Sequence, residues 1–95
     1  MDSGTLLAKA KKFTRPTLEM HSAINSLREE LEAIDLYNQR LDLCKDAELK
    51  TILKHNRDEE KEHAAMLIEW ISRADETFAL ELKEVLFTKG PIEHA

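Results

Sequence analysis

Cysteine is nearly missing from this sequence. The chain has one, Cys44, so no intrachain disulfide can form, and a lone thiol fits a reducing, cytoplasmic setting. Glycine and proline are almost as scarce, two of each in 95 residues, too few to punctuate a turn-rich β-sandwich. Positive charge is in deficit: 14 Lys and Arg stand against 19 Asp and Glu, for a formal net charge of -5. That balance argues against a nucleic-acid binder, which needs a basic face for the phosphate backbone. No apolar run approaches the ~20 residues of a membrane span. The stretch Met1–Lys12 carries several Lys but no long apolar core ahead of a small-residue cleavage site, so it does not read as a secretion signal.

What is present is helix-forming: Leu, Ala, Glu and Lys dominate. The length allows one domain, residues 1–95. A chain this short buries only ~60–65 % of the surface its unfolded form exposes, so its own core is marginal. Small domains then depend on disulfides, a metal or a partner. With disulfides excluded, a metal and a partner remain.

Residues 1–15 read as a loosely organised lead-in with two apolar islands, Leu6-Leu7 and Phe13. Thr14 is a suitable N-cap, with Pro16 tolerated in the first turn. A first helix is predicted from there to about Leu43, with an apolar stripe of Met20, Ile24, Leu27, Leu31, Ile34 and Leu41 in which Asn38 fills the one gap. Cys44-Lys45-Asp46 is a short break, and Asp46 is a good N-cap for a second helix over about 47–73. So short a connector predicts antiparallel neighbours. A third helix is predicted over about 76–87, stopped by Thr88-Lys89-Gly90-Pro91, with residues 89–95 as a tail. The fold class is therefore all-α: an antiparallel two-helix hairpin plus a short C-terminal helix.

The second helix breaks its own pattern. Its stripe opens with Leu49, Ile52 and Leu53 and closes with Met66, Leu67, Trp70 and Ile71, but the three-four stepping between them lands on Asn56, Glu60 and His63. A carboxylate on a buried face needs a cation or a hydrogen-bonding partner. On the first helix, Glu30, Ala33 and Tyr37 border the stripe. Counting outward from the connector in equal steps pairs Glu30 with Glu60 and, one turn on, with His63. Carboxylate and imidazole ligands suit divalent iron or manganese. Two Glu plus two Glu-x-x-His motifs build the di-iron centre of ferritin-like bundles. One chain supplies half of that set, so a second copy across a two-fold axis must supply the rest and complete a four-helix bundle.

Simpler readings bear on each residue. A lone Glu-x-x-His is common in charged helices, and Asp58, Glu59, Lys61 and Glu62 read as a solvated face. Trp70, Met20 and Met66 read as core, His55 as exposed, His21 as a residue beside the core and Cys44 as an incidental thiol. Glu29 and Glu32 share a more exposed face, where they are either solvated or a weak cation-attracting site. The position of Glu60 and His63 on the apolar stripe, level with Glu30, favours the metal reading. The competing classes are a non-catalytic helical dimerisation or adaptor module, in which the polar layer only sets register, and a half-length di-metal oxidase of the rubrerythrin type. One His on the stripe is too few for a hemerythrin-like site, and no His precedes Glu59 or Glu60 at zincin spacing.

The stretches Leu27–Tyr37 (LREELEAIDLY) and His55–Met66 (HNRDEEKEHAAM), with Glu69-Trp70 and Leu86–Ile92 (LFTKGPI), resemble the encapsulated ferritins over about residues 20–92. The resemblance implies a ferroxidase whose chains pair around a di-iron centre and assemble into a ring-shaped decamer. It also implies residence in the cytoplasm, inside an encapsulin nanocompartment where oxidised iron is mineralised and stored. It implies Glu30, Glu60 and His63 as the iron ligands, Glu29 and Glu32 as the carboxylates where metal enters, and Tyr37 as a catalytic neighbour of the centre. Leu36 stands where the family has Trp. The family carries a C-terminal targeting peptide, so a chain stopping at Ala95 is expected to be truncated before it.

Overall fold

The computed structural model describes residues 12–93, so Leu6 and Leu7 lie outside the described residues. Three helices follow one another: α1 over Arg15–Leu43, α2 over Ala47–Ala74 and α3 over Glu76–Val85. Each start carries its own cap. The Thr14 hydroxyl accepts from the Thr17 N–H at 3.4 Å, Asp46 Oδ1 from the Leu49 N–H at 2.8 Å, and Asp75 Oδ1 from the Phe78 N–H at 3.0 Å. These side chains satisfy amide groups that have no carbonyl partner within the first turn. Glu48 and Glu76 add favourable charge to the first turns of α2 and α3.

Only Cys44, Lys45 and Asp46 separate α1 from α2, so the two long helices lie antiparallel and in contact, and α3 packs back on the end of α2. The first helix boundaries fall where the sequence predicts. The third does not: α3 ends at Val85 rather than Phe87. Leu86 is already extended, the Thr88 hydroxyl donates to the Val85 carbonyl at 2.8 Å, and Phe87 takes a left-handed backbone with φ 59°. A local hydroxyl thus ends the helix before Gly90 and Pro91 are reached.

The apolar stripe of α1 divides into two rows, with residues seven apart along each. Met20, Leu27, Ile34 and Leu41 are half-buried against α2, while Ile24 and Leu31 point outward and remain 44 % and 51 % exposed. The same division runs along α2. Leu53, Leu67 and Ile71 turn inward, whereas Ile52, Met66 and Trp70 lie on the outside. The expectation of Met66 and Trp70 as core therefore fails within one chain. The cause is the width of the stripe, which exceeds what one neighbouring helix can cover. Among the described residues only Ala23, Ala64 and Ile71 are buried. The radius of gyration, 17.1 Å, exceeds the ~12 Å of a compact domain of this length. A hairpin so built leaves two apolar faces uncovered.

Candidate metal centre

The inner seam of α1 steps through Met20, Ala23, Leu27, Glu30, Ile34, Tyr37 and Leu41, all buried or half-buried. Glu30 therefore lies within the seam and not merely beside it. Across from it, α2 presents Glu60 and His63 at positions one turn apart. One ligand atom from each of Glu30, Glu60 and His63 lies within 4.8 Å of the others. His63 Nδ1 is 3.4 Å from Glu30 Oε2 and 3.4 Å from Glu60 Oε2. Small neighbours make this approach possible, because Ala64 is buried and Ala33 half-buried near the same level.

The charges are poorly balanced. Glu30 Oε2 is buried and has no hydrogen-bond partner. The Glu60 carboxyl alongside it favours a shared proton, which is the largest cause holding the Glu30 carboxyl above its usual range. Burial and the Glu60 charge act in the same direction, and His63 offsets them in part. Desolvation alone would lower the His63 imidazole. The Glu60 carboxylate, 3.4 Å from Nδ1, and the charge of Glu30 outweigh that, so the imidazole is raised above its usual 6.5. Two carboxylates and one imidazole converge with an orphaned oxygen between them. That is a donor set for a divalent cation with oxygen and nitrogen preference.

The pH dependence follows in sign. The folded metal-free hairpin holds the His63 proton more tightly than an unfolded chain does. This contribution to stability is complete below 6.5 and is lost as pH rises through the folded value. Glu30 behaves alike in a lower window, complete below 4.5 and lost as pH rises through its raised value. A metal needs the deprotonated forms of both. Calorimetric titration with Co2+ is expected to show affinity falling from about pH 8 to about pH 6, while the metal-free protein loses no thermal stability from these two groups. Affinity that is flat over this range would exclude His63 as a ligand.

The remaining candidates do not join the cluster. Tyr37 is half-buried, but its ring lies under the Arg40 guanidinium at 5.5 Å. Glu29 and Glu32 are exposed, and Glu29 accepts from Asn25 Nδ2 at 3.1 Å. Leu36 is 41 % exposed. His55 pairs with Glu59 at 2.8 Å on the outer face of α2, and the Cys44 thiol meets only the Asp46 carbonyl in the connector. Asp58, Glu59, Lys61 and Glu62 are all exposed. Sequence reasoning overlooked Arg57, whose half-buried side chain crosses from α2 to donate from Nη1 to Asn38 Oδ1 at 3.1 Å. The one signal for it was Asn38, the polar interruption in the α1 stripe.

The family model described as EncFtn-like matches residues 5–89 of this chain. The chain is 58 % identical over 76 residues to an encapsulated ferritin-like protein of Rhodospirillum rubrum, covering 80 % of this chain and 54 % of that one. It is 38 % identical over 76 residues to the encapsulin nanocompartment cargo protein EncC of Myxococcus xanthus, covering 80 % and 58 % respectively. The chain thus spans little more than half the length of these two relatives. The crystal structure of a Nitrosomonas europaea protein, 65 % identical, superposes with a TM-score of 0.86 over 90 % of this chain and 93 % of that one.

Proposed function

Because the chain belongs to the EncFtn-like family, we propose that it is a ferroxidase, oxidising Fe2+ to Fe3+ with dioxygen at a two-iron centre shared between two copies. The observation that carries this reading is the convergence of Glu30, Glu60 and His63 around the partnerless Glu30 Oε2. One such set is too few donors for two metal ions, and two sets facing each other supply four carboxylates and two imidazoles.

The uncovered faces support the pairing. Leu31 follows Glu30 directly and is 51 % exposed; Met66 stands one turn beyond His63 and is 57 % exposed. Apolar rows thus flank the open side of the cluster on both helices, as a two-fold bundle interface requires. Pairing would exclude water from a site whose His63 side chain is 44 % exposed in one chain.

In this reading Fe2+ is the substrate. Each of two Fe2+ ions gives one electron to dioxygen, which takes up two protons and leaves at the peroxide level, while both irons leave as Fe3+. Four Glu carboxylates would offset the added positive charge and so favour the oxidised state, while one neutral His63 ring from each copy would supply a nitrogen donor. Exposed Glu29 and Glu32 raise the local cation concentration on the approach to the centre. Tyr37, two turns beyond Glu30 on the same seam, is assigned the role of a redox neighbour of the centre. The relatives are described as encapsulated and as nanocompartment cargo. We extend this to the present chain: paired copies arranged as a decameric ring, held within an encapsulin shell that stores the ferric product. Adding Fe2+ to the aerobic protein is expected to consume dioxygen and raise ferric absorbance well above the rate in buffer. A rate equal to that in buffer would refute the activity.

A further inference from the structure

Three ligands on two helices need a device that fixes one helix along the other. Apolar seams do this poorly, because a heptad pattern repeats itself and tolerates displacement. Near the level of the cluster the half-buried Ala33 and the buried Ala64 offer only small side chains to interlock. Among the described residues, and outside the Glu30–Glu60–His63 cluster itself, one side-chain hydrogen bond joins α1 to α2, from Arg57 Nη1 to Asn38 Oδ1 at 3.1 Å. The same guanidinium donates from Nε to Asp58 Oδ1 at 3.2 Å, and Lys61 Nζ lies 3.5 Å from the same oxygen. Arg57 is only 20 % exposed along its side chain. It lies one turn before Glu60 on the same helix.

We propose that Arg57 is a positioning residue: its guanidinium, anchored on Asp58 and bridged to Asn38, sets the register that brings Glu30 to Glu60 and His63. The proposal rests on the reading of that cluster as a metal site. Arg57 touches no reacting atom and acts through the helix that carries Glu60. The planar fork suits this task, since two different nitrogens engage two partners in fixed directions.

Charge and position make opposite forecasts, which gives a decisive test. Arg57→Met keeps the apolar stem and removes a positive charge near a cation site. By charge alone, that change tightens cation binding. By position, it weakens binding, about tenfold, as loss of an outer partner of a metal ligand does. Asn38→Ala removes the same bridge with no change of charge, and Ala is the better helix former, so a purely structural role predicts unchanged or higher melting temperature and unchanged binding. The probe is Co2+, titrated into the full chain and followed by its visible absorption, with the melting temperature of the metal-free protein measured alongside.

The expected result is about tenfold weaker Co2+ binding in Arg57→Met and in Asn38→Ala, with the double variant no weaker than either single. The Asn38→Ala melting temperature holds. Tighter binding in Arg57→Met, unchanged binding in Asn38→Ala, or losses that multiply in the double variant would each overturn the proposal. Glu60→Ala serves as the control. If Glu60→Ala loses the Co2+ spectrum while the Arg57 and Asn38 variants keep it, the positioning role alone fails. If Glu60→Ala keeps it, the site reading fails and the proposal with it.

Discussion

Replacing Glu60 or His63 by Ala is expected to slow Fe2+ oxidation by about 100-fold or more, down to the rate in buffer. Loss of an outer-shell partner already costs a metal site roughly 10–100-fold in affinity, and these residues are assigned to the metal directly. Symmetry doubles each substitution, because both copies at a shared centre carry it. Stability separates this loss from misfolding. Glu60 is the main cause of the raised Glu30 carboxyl, so its removal relieves the crowding of negative charge, and the metal-free Glu60→Ala hairpin should melt no lower than the parent. Ferric absorbance and oxygen consumption measure the first quantity and circular dichroism the second. Near-parental turnover in both variants would sink the assignment of Glu30, Glu60 and His63 as the centre.

Leu31→Gln is expected to break the pairing of copies and the oxidation together. Leu31 is half-exposed on the outward row of α1, so one hairpin gives up little when it becomes polar, and Gln is a good helix former of similar size. At a shared interface the same side chain is covered. Burying a Leu contributes about 1.5–3 kcal/mol, once in each copy. Only the exposed half of Leu31 is left for pairing to cover, so its loss weakens association by roughly 1.5–3 kcal/mol, or about ten- to a hundredfold. Sedimentation across a dilution series should show Leu31→Gln dissociating at concentrations where the parent stays assembled. Its oxidation rate per chain should fall with dilution. A variant of unchanged mass and unchanged activity would show that the outward row does not form the interface around the centre.

These expectations depend on features that the sequence carries to different degrees. The caps at Thr14 and Asp46 are readable because each is a small polar residue just ahead of an uninterrupted helical run. The level match of Glu30 with Glu60 and His63 is readable because a three-residue connector brings the two helices level to within about a turn; the finer register is not encoded there. What periodicity could not decide is which row of a two-row stripe faces the neighbour within the chain. Leu27 and Leu31 are equivalent in hydropathy and one turn apart, yet one turns inward and the other outward. Trp70 and Ile71 divide in the same way, and Ile71 is the one that is buried. The early end of α3 depends on the Thr88 hydroxyl finding the Val85 carbonyl, a local bond that no pattern of apolar residues announces. The bridge from Arg57 to Asn38 depends on the reach of a long side chain between helices, which spacing along one helix does not encode.

The central claim is that two copies of this chain hold iron between Glu30, Glu60 and His63. Anomalous diffraction at the iron edge, from crystals of the protein loaded with Fe2+ in the absence of oxygen, tests it most directly. Two peaks are expected on either side of a two-fold axis, each within bonding distance of these three side chains drawn from both copies. Iron bound within a single hairpin, or found only at Glu29 and Glu32, would contradict it.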